Sequence, residues 1–162
     1  MNHWLMKTEP STFGIDDLER APRRTTTWDG VRNYQARNML RDDFAEGDRA
    51  FLCRSSCEVP GIVALMRVVR AGYPDPTAKG PGEPRWYAVD VQLERRLGRV
   101  ITLEELRVHA TRKLAKMVLL QRGSRLSVMP VSAAHFNFIL PLERRCDPNV
   151  MQITRLDAST LA

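Results

Sequence analysis

Cysteine is scarce in this chain of 162 residues: Cys53, Cys57 and Cys146 are the only three. An odd count supplies no disulfide framework. The C-x3-C spacing of Cys53 and Cys57 has no second Cys/His pair nearby to complete a four-ligand zinc site, so no metal is expected. Long apolar runs are missing too. None approaches the roughly 18 to 20 residues that span a bilayer, so no membrane association is expected. Gly-rich phosphate loops, zinc motifs and nucleophile elbows do not occur, which leaves no signature of a cofactor or of a catalytic residue. There is no internal repeat and no low-complexity tract. The start, MNHWLMKTEP, reaches a charge and a proline within ten residues, unlike a signal peptide, and the expected compartment is cytoplasmic.

What is present describes one folded domain. Apolar residues make up 43% and charged residues 27%, a balance that supports one core and excludes wholesale disorder. The net charge of +6 is concentrated in two segments. Arg20 to Arg41 carries six arginines against one acid, Asp29, and Arg107 to Arg125 carries six Lys/Arg and no acid. Two basic segments in one small domain are the footprint expected of a polyanion partner, or else of a solvated surface that keeps the protein soluble.

Periodicity predicts short strands over Trp4–Lys7, Arg49–Ser55, Gly61–Arg70, Trp86–Glu94 and Leu126–Val131. Ile62-Val63-Ala64-Leu65 is apolar on both faces, as in a central strand. Helices are expected over Ile15–Arg20, capped by Ser11 or Thr12, and over Arg32–Asp43. Three more are expected: one after a capping box at Thr102-Leu103-Glu104-Glu105, one over Arg112–Gln121, and one from Ser132 towards Leu140. YPDPTAKGPGEPR, residues 73 to 85, is a surface loop. Strands of mixed length without β-α-β regularity argue α+β, with a largely antiparallel, curled sheet. The domain is expected over residues 1–144, and 145–162 reads as an appendage or disordered tail.

TTWDGVRNYQARNML, residues 26 to 40, is unusually dense in planar polar side chains beside one tryptophan. Such a set suits a flipped base, which offers two π-faces and one hydrogen-bonding edge. Trp28 can supply a flat wall, or it can be a core anchor beside an Asp-Gly turn. Asn33 and the backbone N–H groups after Asp29-Gly30 can meet a base edge or a phosphate, though Asn33 is equally a helix-terminal hydrogen-bonder. Arg32 and Arg37 suit a phosphate backbone. Trp86, with Asp90 on the polar face of its strand, is a candidate second wall or a packing residue. Tyr34 is expected to be structural.

Seven motifs carry a family resemblance. WLMKTEP, TFGIDDL, WDGVRNYQARN, PGIVALMRVV, YPDPT, PRWYAVDV and RLSVMPV occur in the order of the EVE-domain family, and the chain resembles that family over roughly residues 3 to 142. The resemblance implies a PUA-like fold, a small curled, mostly antiparallel β-barrel flanked by short helices. Related YTH and SRA domains bind RNA or DNA and hold a single, often modified, base in a pocket. What this implies here is a nucleic-acid partner and a reader of a modified base, with Lys7, Trp28, Val31, Arg32, Asn33, Ser55, Trp86 and Asp90 as ligand-binding residues.

Two strands depart from the family pattern. Cys53 and Arg54 stand where relatives usually carry Tyr-His, ahead of a retained Ser55, and Met129 stands where many carry glutamine. Ligand preference is expected to differ accordingly. A sister family with the same barrel contains small amidohydrolases acting on acylated cytidine through a lysine, a threonine and a glutamate. Lys7, Thr8 and Glu9 offer those residue types, which makes an amidohydrolase acting on a modified nucleoside the alternative function.

Overall fold

The structure, a computed structural model, describes residues 1–145; Cys146 and the remainder of the expected tail lie outside the described residues. The elements in chain order are β1 (His3–Thr8), α1 (Ile15–Arg20), β2 (Thr25–Trp28), α2 (Tyr34–Asp42), β3 (Arg49–Arg54), β4 (Gly61–Pro74), β5 (Tyr87–Thr102), α3 (Leu103–Val108), β6 (Val128–Val131) and α4 (Ala133–Ile139). Short 3-10 turns occupy Pro22–Arg24, Val118–Leu120 and Leu140–Arg144.

The six strands form one mixed sheet in the order β2-β5-β4-β3-β1-β6. Only β1 and β3 run parallel, and the other pairings are antiparallel. The fold is therefore α+β and mostly antiparallel, as expected. The expected barrel is not closed. β2 and β6 have four residues each, pair on one side only, and stand at opposite edges of the sheet. The curl comes instead from the long β4–β5 hairpin, whose register shifts at four places between Ile62 and Tyr73. Each bulge adds local twist and bends the ladder. The same bulges break the strict alternation of side chains, which is why both strands run past the ends predicted at Arg70 and Glu94.

Apolar side chains cover both faces of the sheet. On one face Trp4, Met6, Leu52, Ala64, Met66, Val89 and Val91 meet Ala36 and Leu40 of α2. On the other, Leu5, Phe51, Ile62, Leu65 and Ile101 meet Leu106 of α3 and Phe136 and Ile139 of α4. Adjacent residues Trp4 and Leu5 fall in different clusters because successive strand side chains point to opposite faces. Phe51-Leu52-Cys53 is buried throughout for the same reason.

Two local expectations are corrected and one strand is added. Residues 9 to 13 form a turn, with the Thr12 and Phe13 N–H groups both donating to Glu9 O. The cap position of α1 is Gly14, whose N–H donates to Asp17 Oδ2 at 2.7 Å, not Ser11 or Thr12. Arg112–Gln121 is a chain of turns. Its N–H groups reach back mostly three residues, and Lys116 sits at φ +65°, so Leu114, Met117 and Leu119 are buried without an α-helix. Thr25–Trp28, for which no element was predicted, is an edge strand paired with β5. Its run of three threonines is β-branched and suits that role.

Gly72 marks where β4 passes under α2. A Cβ there would collide with the Leu40 carbonyl oxygen and lie 3.0 Å from Arg41 Cα. Both obstacles are backbone and cannot rotate away. Gly72→Ala is expected to cost about 1 to 3 kcal/mol, the usual range for forcing an extra group into a packed contact. Chemical denaturation would measure it, and an unchanged midpoint would show that α2 slides freely on the sheet.

Candidate functional site

A cavity of about 530 Å³ opens where the C-terminal end of β1, the turn after it, and β2 meet. β1 contributes Lys7 and Thr8, the turn contributes Phe13, and β2 contributes Thr26, Thr27 and Trp28. The turn after β2 adds Asp29, Gly30, Val31 and Arg32, and Ser127 adds a hydroxyl from the segment before β6. Flat and apolar surfaces thus alternate with hydroxyl, carboxylate and cationic groups around one opening.

Trp28 has two roles at once. Only 9% of it is exposed and it packs with the first core cluster, yet it also forms a wall of the cavity. Its strand position, opposite Val89, fixes where the indole can lie. The chain then turns through Gly30 at φ +74°, a left-handed conformation that glycine adopts without the strain a side chain adds.

Asp75, from the YPDPT loop, holds this turn in place. Its side chain has 0% exposure. Oδ2 accepts from the Gly30 N–H at 2.9 Å and from Arg32 Nη1 at 2.9 Å. Oδ1 accepts from the Thr77 N–H at 2.7 Å and the Thr77 hydroxyl at 2.6 Å. Burial alone would raise this carboxyl's pKa, but the hydrogen bonds from Thr77, Arg32 and Gly30 outweigh it and bring it down to about 2. Asp29, at the cavity mouth, shifts the other way. Desolvation and then the nearby Asp75 charge hold it above the ordinary carboxylate range, with Arg32 opposing them.

The predicted ligand-binding residues do not all converge. Lys7, Trp28, Val31 and Arg32 line the cavity together. Asn33 does not. It caps α2, with Oδ1 accepting from the Ala36 N–H at 3.0 Å. Trp86 lies against the Pro/Gly-rich loop, its ring 4.9 Å from that of Tyr34 and tilted by 33°, with the Arg32 guanidinium 5.4 Å from its ring. Tyr34 is 55% exposed, so this aromatic pair faces outward and not into the core. Asp90 sits behind the cavity and accepts from the Tyr73 hydroxyl, which is 3.2 Å from the Thr27 hydroxyl of the lining. Ser55 lines a second depression that also borders Lys7. Burial pushes the neighbouring Cys53 thiol up to about 11, which keeps it protonated and unreactive.

Sequence reasoning did not pick out Phe13, Thr26, Thr27, Asp29 or Ser127 as site residues. Asp29 was within reach, since it lies inside the WDG motif. Thr26 and Thr27 required knowing that a sixth strand pairs at the edge beside β5, and Phe13 and Ser127 arrive from distant segments. The alternative amidohydrolase trio does line the cavity. The Thr8 hydroxyl, however, is spent on Phe13 O at 2.7 Å, and among the described residues no hydrogen bond couples it to Lys7 or Glu9. No group of three or more His, Cys, Asp or Glu that could hold a metal occurs among the described residues. Nor is any described helix long and apolar enough to cross a membrane.

An open six-stranded mixed sheet with a tryptophan-walled cavity between β1 and β2 defines a small α+β domain class with solved members. The chain belongs to the EVE-domain family, whose profile matches residues 2–142. Thymocyte nuclear protein 1 of Mus musculus is 42% identical over 167 residues, spanning 88% of this chain and 74% of the relative. A crystal structure of human THYN1 in complex with 5-methylcytosine-containing DNA superposes with a TM-score of 0.83. It is 39% identical, and the match covers 91% of this chain and 100% of that one. A Pseudomonas syringae protein of known structure is 43% identical with a TM-score of 0.79, covering 87% of this chain and 99% of its own.

Proposed function

We propose that this chain is a DNA-binding module that holds one modified cytosine in the Trp28 cavity. The observation that carries this is the cavity itself, in which an indole wall and buried Val31 face polar groups of both hydrogen-bonding senses. The human relative solved with 5-methylcytosine-containing DNA supports the choice of ligand. In this reading Trp28 and Phe13 flank the base. The Asp29 carboxylate accepts from an exocyclic amino group, as acidic side chains do with cytosine N4. Lys7, Arg32 and the threonine hydroxyls donate to ring acceptors, and Val31 meets the methyl group. The basic segments hold the strand without reading it.

Magnitudes set what to expect. Burying one methyl contributes about 0.8 kcal/mol, or roughly fourfold in affinity. Matched duplexes carrying cytosine or 5-methylcytosine at one position are therefore expected to differ by roughly fourfold to tenfold in Kd, the methylated one tighter. Fluorescence anisotropy would measure the ratio. Equal affinities across methyl, hydroxymethyl and unmodified cytosine would end the base-reading proposal. Acylated cytidine incubated with the protein is expected to remain intact, because the cavity offers no activated hydroxyl. Such a module works wherever its nucleic acid is. The cytoplasm is the expectation from the sequence, while the vertebrate relatives are named as nuclear proteins.

A further inference from the structure

The second depression, of about 420 Å³, lies on the far side of Lys7 from the Trp28 cavity. Four cationic side chains line it: Lys7 from β1, Arg54 from the end of β3, Arg107 from the last turn of α3, and Arg122 from the loop before β6. No Asp or Glu is among its lining residues. Seven arginines elsewhere, Arg32, Arg41, Arg49, Arg67, Arg95, Arg96 and Arg99, each meet a carboxylate. Among the described residues none of the four cations of the depression does. Arg54 Nε donates to Val59 O at 2.6 Å, which anchors the side chain and leaves its terminal nitrogens available.

An independent feature points the same way. Ser124 Oγ, in the same lining, is buried and has no hydrogen-bond partner. Buried hydroxyls without partners are uncommon, and each calls for a missing ligand or water. Four like charges converging on one hollow repel one another, and an anion between them relieves that repulsion. A tetrahedral phosphate matches this donor set, since arginine forks and a hydroxyl can each meet a separate oxygen.

We propose that this depression is a phosphate subsite that takes a backbone phosphodiester of the strand whose base enters the Trp28 cavity. Lys7 borders both hollows and sits where base and neighbouring phosphate would meet. The choice of a strand as the phosphate's source rests on the base-reading proposal. The phosphate chemistry does not.

The test uses the full chain with Arg107→Gln and Arg122→Gln combined, both exposed positions outside the core. Losing one phosphate contact is expected to lower the log–log salt slope of DNA affinity by about one and to weaken binding roughly tenfold at physiological salt. The ratio of methylated to unmethylated affinity should stay at the wild-type value. Replacing the phosphates flanking the modified base by methylphosphonates, one at a time, should abolish the penalty of the double variant at one position. Inorganic phosphate, against chloride of equal ionic strength, should raise the melting temperature of wild type but not of the variant. If the variant loses only this phosphate stabilisation and keeps its DNA affinity, the subsite serves free phosphate monoesters and the strand assignment is overturned. Wild-type slope, affinity and phosphate response in the variant would overturn the subsite altogether. A wild type that ignores methylation while the variant still loses slope would sink the base reading alone.

Discussion

Asp75→Ala is expected to lower the unfolding free energy by about 2 to 4 kcal/mol and to weaken DNA binding at the same time. The carboxylate satisfies two backbone N–H groups, Gly30 and Thr77, besides the Thr77 hydroxyl and Arg32. Each donor left buried without a partner costs about 1 to 3 kcal/mol. Arg32 softens the loss, because its side chain is 41% exposed and can return to water. The functional penalty follows from position: Gly30 is the point at which the cavity wall is tied to the rest of the fold.

The same carboxylate makes stability pH-dependent in a direction that can be worked out. Its folded pKa, about 2, is below the value of about 3.9 of an unfolded aspartate. A lowered pKa contributes stability that is fully present above pH 4 and is lost as pH falls towards 2. The shift corresponds to on the order of 2 kcal/mol. Asp29 has the opposite sign, since its raised pKa makes ionisation on going up in pH slightly unfavourable to the fold. Comparing wild type with Asp75→Asn therefore isolates the effect better than the raw curve. Their difference in unfolding free energy should shrink between pH 5 and pH 2. A difference that stays constant over that interval would mean Asp75 is no better solvated in the fold than in the open chain.

How much of this was legible beforehand depended on how far apart the interacting residues lie in sequence. α1, α2, α3 and α4 were legible because apolar spacing and caps such as Thr102 and Ser132 are local. The central strands were legible as apolar runs. β2 was hidden because four residues beginning with three threonines show no buried face until β5 is laid beside them. Residues 112 to 121 were misjudged because Leu114 and Met117 have helical spacing, and nothing local announces the left-handed Lys116. The site divides the same way. Lys7, Trp28, Val31 and Arg32 came from two continuous motifs, whereas Asp75 acts across 45 residues on Gly30 and could not be assigned from pattern alone. Asn33 and Asp90 carry side chains that suit a base edge, but each is already committed to a protein partner. A residue's chemistry shows what it can bind, and only its neighbours show whether it is free to do so.

Trp28 is where the two readings of one residue merge. Sequence reasoning set a pocket wall against a core anchor, and a wall that is not also core would lose little stability on truncation. The burial of the indole overturns that contrast. With 9% exposure inside the first core cluster, Trp28→Ala should cost about 3 to 5 kcal/mol, as for other large core aromatics. Base–aromatic stacking is worth about 1 to 3 kcal/mol, so DNA affinity should also fall by about tenfold to a hundredfold. Loss of fold and loss of wall would be confounded in that variant. Trp28→Phe separates them, because it keeps a smaller π-face and most of the packing. It should unfold at a lower temperature yet remain folded at 25 °C, and bind methylated DNA several-fold more weakly. The salt slope of its affinity should match wild type, since the phosphate contacts are untouched. Phe13→Ala supplies the control from the opposite side, because Phe13 is only partly buried and should lose affinity at a smaller cost in stability. If Trp28→Phe binds methylated and unmethylated duplexes as the wild type does while its melting temperature falls, the indole is packing alone. The base would then have to be held by some other surface.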